Sequence, residues 1–203
     1  MGSTWVTADD FDASKISVSV LPGSGTYERS KVLYEYNDES GGKLLKDLIV
    51  TVPRNSDAYL LCRGVKKDMF TQGDVKVETN RYGAQLILKA DNEYHVSLYK
   101  IFEALSVKVK DLTGSEVTFP VLDMEGYSIV YTNLIHSNDG RMFSSAYTAE
   151  EKVDILEVGP SIVRPALLLS LLRKSPTEVK IRVQISQMYI HEEVKSFPLA
   201  TLD

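Results

Sequence analysis

A single cysteine, Cys62, stands in 203 residues, so no disulfide can form within the chain. That scarcity suits a reducing, intracellular setting. Long hydrophobic runs are missing as well. No apolar stretch approaches the ~20 residues of a membrane span, and no charged-then-apolar leader precedes a cleavage site. Histidine is sparse: His95, His136 and His191 lack a Cys or His partner at ligand spacing, so no zinc site is expected. No Walker A sequence occurs, and Gly23-Ser24-Gly25 lacks the lysine and the following helix of a phosphate cradle. No nucleophile elbow is present. Asp9, Asp10 and Asp12 read as a solvated terminus rather than a cation site. These absences predict a protein without catalytic residues, metal or cofactor.

Positive charge is also in deficit, at 23 Lys and Arg against 28 Asp and Glu, a net −5. Such a balance argues against a uniformly basic nucleic-acid packer, yet leaves room for a local basic surface, because charges beyond about 10 Å are screened. The charges are unevenly spread. Arg164, Arg173, Lys174, Lys180 and Arg182 face only Glu178 in their segment, whereas Glu150, Glu151, Asp154 and Glu157 face only Lys152. The 43% hydrophobic content and mean hydropathy of −0.12 are those of a water-soluble domain that buries a real core.

What is present is mostly strand. ISVSVL (16–21), SKVLYEY (30–36), KLLKDLIVTV (43–52), AYLLCRGV (58–65), VKVET (75–79) and AQLILKA (84–90) alternate in polarity or are rich in β-branched and aromatic residues. NRYG between the last two predicts a tight hairpin. The period then changes. Tyr94, Leu98, Ile101, Phe102, Leu105 and Val109 recur at helical steps, predicting one main helix over about 91–110, capped by Asp91 or Asn92 and closed by Gly114, with SVKVK either its last turn or extended. Strands resume with GYSIVYTNLI (126–135), a hairpin at SNDGR, and MFSSAY (142–147). Thr148-x-x-Glu151 has the spacing of a capping box and predicts a short helix. VRPALLLSLL (163–172) and VKIRVQISQMYI (179–190) form the last hairpin. Its apolar phase slips after Ile185, which a bulge near Ser186 or Gln187 explains.

This order describes a mostly β, β-rich α+β domain over 16–194, preceded by an acidic, flexible 1–15 and followed by a C-terminal extension, 195–203. A partly open barrel of the oligonucleotide/oligosaccharide-binding (OB) type with long loops fits it. A β-sandwich fits the pattern nearly as well.

Basic and aromatic residues recur together near strand ends. Tyr34 and Tyr36 share a face with Val32; Tyr59 and Arg63 share a face opposite Leu60 and Cys62. Lys66, Lys67 and Phe70 follow, then Lys76, and then Arg81 and Tyr82. Arg173, Lys174, Lys180 and Arg182 gather at the last hairpin. Each alone has a structural explanation, since tyrosines favour strands and outer Lys and Arg keep edges unpaired. Their recurrence points to single-stranded nucleic acid, whose phosphates need cations and whose bases stack on flat side chains.

The segment VRPALLLSLLRKSPTEVKIRVQISQMYIHEEV resembles the corresponding stretch of viral single-stranded DNA-binding proteins, most nearly of the poxvirus type. AYLLCRGVKKDMF, YGAQLILKA and the helix DNEYHVSLYKIFEAL, with Leu98-Tyr99, Glu103 and Ala104, are similar too, so that the resemblance spans roughly 30–194 as pattern rather than identity. Phage and large-DNA-virus proteins with an OB barrel share the architecture. The resemblance implies a non-enzymatic protein that coats and protects single-stranded DNA in viral replication. Lys66, Lys67, Arg81, Lys180 and Arg182 match basic positions. It also implies replication proteins and further copies along the strand as partners, RNA as an alternative ligand, no membrane, and a site in the host cytoplasm or viral replication compartment. Members of the wider class often carry an acidic C-terminal tail; FPLATLD carries only Asp203, so either that tail has been trimmed or the resemblance fails there. The competing expectation is a protein–protein interaction or virion structural protein.

Overall fold

A computed structural model describes residues 6–7, 10–20, 28–37, 40–51, 59–72, 75–89, 93–137, 139–175 and 177–195. In chain order the strands are β1 (Val6–Thr7), β2 (Ile16–Val20), β3 (Glu28–Asn37), β4 (Lys43–Asp47), β5 (Ile49–Thr51), β6 (Leu60–Gln72) and β7 (Val75–Lys89). After the helix α1 (Glu93–Thr113) come β8 (Glu116–Thr118), β9 (Val121–Met124), β10 (Tyr127–Leu134), β11 (Ser145–Tyr147), β12 (Lys152–Val153), β13 (Ser161–Ser175) and β14 (Glu178–Glu193).

The antiparallel β13–β14 ribbon is the spine, because its alternation gives it a continuous apolar side. Val163, Leu167, Leu169 and Leu171 of β13 and Val179, Ile181, Val183 and Ile185 of β14 are buried, while Lys180, Arg182 and Gln184 turn outward. Pairing passes from Leu167–Ile185 to Ala166–Gln187, so Ser186 is the bulged residue the phase slip predicts, and Met188 and Ile190 return to the core. Along its other edge β13 changes partners, from β6 at Ser161–Val163 to β5 at Ala166–Leu168 and β3 at Ser170–Arg173. Pro165, which has no N–H to give, falls in the gap between two of these partners. β14 takes three parallel partners in turn, β8, β10 and β11.

Closure follows from five pairings: β6–β7, β7–β10, β10–β14, β14–β13 and β13–β6. The result is a closed five-strand barrel with extra strands, an OB-like fold, and the sandwich alternative is set aside. In barrel order β6, β7 and β10 are the first to third strands, and β13 and β14 the fourth and fifth. The helix lies between the second and third. Leu98, Ile101, Phe102, Leu105 and Val109 bury its inner face, and Phe102 meets Phe119 at 5.4 Å between ring centroids. Each such side chain contributes about 1.5–3 kcal/mol by leaving water. No described helix is long and apolar enough to cross a membrane.

Several local expectations are corrected. NRYG is not a turn: β7 continues through it with an irregularity in pairing at Thr79–Arg81, and the reversal falls between the paired residues Gln72 and Val75. KLLKDLIVTV breaks at Leu48, whose side chain is wholly buried, dividing it into β4 and β5. Of the two readings of SVKVK the helical one holds, and α1 continues to Thr113. Thr148 starts a turn rather than a helix; its Oγ1 accepts from the Glu150 and Glu151 N–H groups, linking β11 to β12. Asp91 and Asn92 lie outside the described residues. β1, β8, β9 and β12 went unread because they are only two to four residues long.

Candidate functional site

Inward burial of Ala84, Leu86 and Leu88 turns Arg81, Gly83 and Gln85 of β7 outward. The same logic turns Tyr131 and Asn133 of β10 outward, between inward Val130, Thr132 and Leu134. The register Thr132–Val183 and Asn133–Gln184 joins β10 to β14 immediately after Tyr131 and Arg182. Across the ribbon Arg182 pairs with Ser170, and Leu172 of β13 pairs with Arg29 of β3.

The result is a convergence of guanidinium groups from three strands. Arg182 is half-buried, and its pKa is lowered first by burial and then by the charges of Arg29 and Arg81. Among the described residues no carboxylate lies within ion-pair distance of these three arginines. Like charge costs stability where it stands, so the arrangement favours a polyanion over an empty face.

Lys180 lies one outward step from Arg182, toward the β13–β14 turn. On that ribbon Arg173 donates to the Ser115 Oγ at 3.4 Å, and Lys174 pairs with Glu178 at 3.3 Å. On the β6–β7 ribbon Lys66 is exposed opposite Gly83, and Lys76 is exposed opposite Thr71. Lys67 pairs with Glu78 at 3.1 Å, which raises its pKa chiefly through that hydrogen bond. Exposed pairs of this kind are worth little. Arg63, half-buried, donates to the Gln85 Oε1 at 3.0 Å. The Phe70 side chain lies outside the described residues.

The tyrosines need correction. Tyr34 and Tyr36 do share a face with Val32, but it is the core face. Their rings lie 5.2 Å apart, Phe11 stacks on Tyr34, and the Tyr34 hydroxyl accepts from the Asp12 N–H at 3.0 Å. Burial pushes the Tyr36 hydroxyl up to about 12. Neither ring has a free face for a base. Tyr82 packs against the core. Tyr59 stacks on His191 at 4.4 Å with Arg164 over its ring at 4.5 Å, remote from the Arg182 cluster along the spine.

Sequence reasoning missed Arg29 and Tyr131. Arg29 precedes the strand expected from Ser30, and only the β3–β13 register brings it in. Tyr131 had a signal: in GYSIVYTNLI it falls on the face opposite Val130 and Leu134. The far end of the spine is acidic, with Glu192 and Glu193 ending β14 and Glu150 and Glu151 following β11, whose Tyr147 pairs with Tyr189. No group of described residues is set to hold a metal ion.

No protein-family model matches the chain, and no curated protein does. Among solved structures it is similar to a single-stranded DNA-binding protein from bacteriophage Enc34, in a C-terminally truncated form, with a TM-score of 0.51 and 13% identity over 81% of this chain and 98% of that one. It is also similar to gp2.5, a single-stranded DNA-binding protein encoded by bacteriophage T7, with a TM-score of 0.43 and 9% identity over 68% of this chain and 92% of that one. At these identities the likeness shows the fold.

Proposed function

We propose that the protein binds single-stranded DNA without strong sequence preference, protecting and organising it during viral DNA replication, and does so without catalysis. The observation that carries this reading is the cluster of Arg29, Arg81 and Arg182, uncompensated by described carboxylates on a chain of net −5. Its position supports the reading too. OB barrels take oligonucleotides across the second and third strands, between the loops that join strands one to two and four to five. Here those are β7 and β10, flanked by the β6–β7 and β13–β14 ribbons, which carry Lys66, Lys67, Lys76, Arg173, Lys174 and Lys180. The Enc34 protein of similar fold is itself a single-stranded DNA-binding protein. RNA offers the same phosphates and bases, and replication proteins and further copies of the chain are the partners such coating entails.

A fluorescent oligonucleotide tests this. The parent should bind at micromolar concentration or tighter in low salt and release as salt rises. Arg81→Gln with Arg182→Gln should weaken binding by at least tenfold. An absence of binding at low salt would sink the reading and favour an interaction or virion protein, and an unchanged double variant would remove this face from it.

A further inference from the structure

The cluster supplies charge but no surface for a base, and the tyrosines expected from sequence are buried or already stacked. Among the described residues of β7 and β10, the strands of the candidate face, Tyr131 is the exposed aromatic, at 44%. Its backbone N–H donates to the Pro120 carbonyl at 2.8 Å, fixing the strand beneath it, and no ring contact holds its side chain among the described residues. It pairs with Gln85 on one side, about 5 Å away at ordinary strand spacing. On the other, β10 joins β14 from the next residue, Thr132, opposite Val183, the residue after Arg182. Tyr147 and Tyr189 are exposed to a similar degree, but they lie at the acidic end, where Glu150, Glu151, Glu192 and Glu193 repel phosphate.

The amides around Tyr131 are oriented by partners that leave no ambiguity. Arg63 can only donate, so Gln85 must turn Oε1 toward it and present its amide N–H groups elsewhere. Asp68 accepts from the Asn133 Nδ2 at 3.3 Å, which leaves the Asn133 Oδ1 as a free acceptor. Every base offers both a donor or acceptor edge and a π-face, so a ring flanked by one donor and one acceptor suits all four.

We propose that Tyr131 is the stacking platform for a nucleobase, with Gln85 and Asn133 meeting the base edge and Arg182 an adjacent phosphate. This rests on reading the face as a single-stranded DNA site. The test compares a thymidine oligomer with an abasic oligomer of equal length and charge. Tyr131→Thr keeps β propensity, and the exposed position should leave Tm unchanged. It should lose roughly 5- to 150-fold in affinity for the thymidine oligomer, the range expected for one lost stack, and nothing for the abasic one. Tyr131→Phe should restore parental affinity, and Tyr189→Thr should match the parent. Equal affinity of Tyr131→Thr and parent for the thymidine oligomer, or an equal loss on both oligomers, would overturn the stacking role while leaving DNA binding intact. A parent that binds neither oligomer at low salt would remove the functional reading and this inference with it.

Discussion

A Cβ placed on Gly83 would lie 2.4 Å from the Thr132 carbonyl oxygen, a backbone atom of the neighbouring β10 that cannot swing aside. Gly83→Ala should therefore force β7 and β10 apart at the centre of the candidate face, costing about 1–3 kcal/mol and lowering Tm by several degrees. Gly159→Ala, with nothing within 4 Å of its added Cβ, is the matched control and should melt with the parent in calorimetry. The same glycine shows where the sequence misleads. In NRYG it reads as a turn residue, whereas its purpose is close approach between strands, and the two are indistinguishable without the partner. Tyr34 gives the opposite lesson. Its alternation with Val32 and Tyr36 was legible, but alternation alone does not say which face is the core. Because the Tyr34 hydroxyl accepts from the Asp12 N–H, Tyr34→Phe should lose about 1 kcal/mol of stability and leave oligonucleotide affinity unchanged. A drop in affinity at constant stability would return that ring to the site.

At the scale of elements, the long alternating strands and the helix were readable because each buries a periodic face against the core. The switches of partner along β13 were not, since no local signal announces them. The helix is tied to the β9–β10 hairpin by polar groups that periodicity does not reveal. The Tyr99 and Ser128 hydroxyls both donate to Asp123, at 2.5 and 2.6 Å, and His95 bonds Ser128 at 3.0 Å. The Ser128 bond, followed by that of Tyr99, holds the Asp123 carboxyl below its ordinary pKa, while burial and Asp123 together push the Tyr99 hydroxyl up to about 12. A group whose folded pKa is depressed stabilises the fold above its unfolded value, near 3.9, and loses that contribution as pH falls through the folded value. Asp123→Asn should accordingly lower Tm at pH 7 by a margin that shrinks below pH 4 and vanishes at lower pH. Melting curves from pH 7 to 2.5 check this, and a margin constant across that range would exclude the ionised carboxylate as the source.

For the whole molecule, the informative quantity is the distribution of charge rather than its sum. β14 alone, at 16 residues, spans roughly 50 Å at strand rise. Arg182 and Lys180 lie near one end of it, and Glu192 and Glu193 at the other. The uneven runs in the sequence hinted at this separation, but the third member of the cluster, Arg29, comes from β3, and only closure of the barrel and its flanking strands brings it near Arg182. Several Debye lengths of about 8 Å part the two ends at physiological salt, so phosphates on the basic face barely sense the acids. Counterion release then sets the salt response, at ~0.7 in log–log slope per phosphate neutralised on a single strand. Replacing Arg29, Arg81 and Arg182 together by Gln should flatten that slope by about 2, whereas Glu192→Lys with Glu193→Lys should leave it within error of the parent. Anisotropy titrations between 50 and 300 mM salt separate the cases. If the triple variant kept the parental slope, or the acidic-end reversal moved it as far, the negative total rather than the local cluster would govern binding, and the three-strand convergence would lose its role.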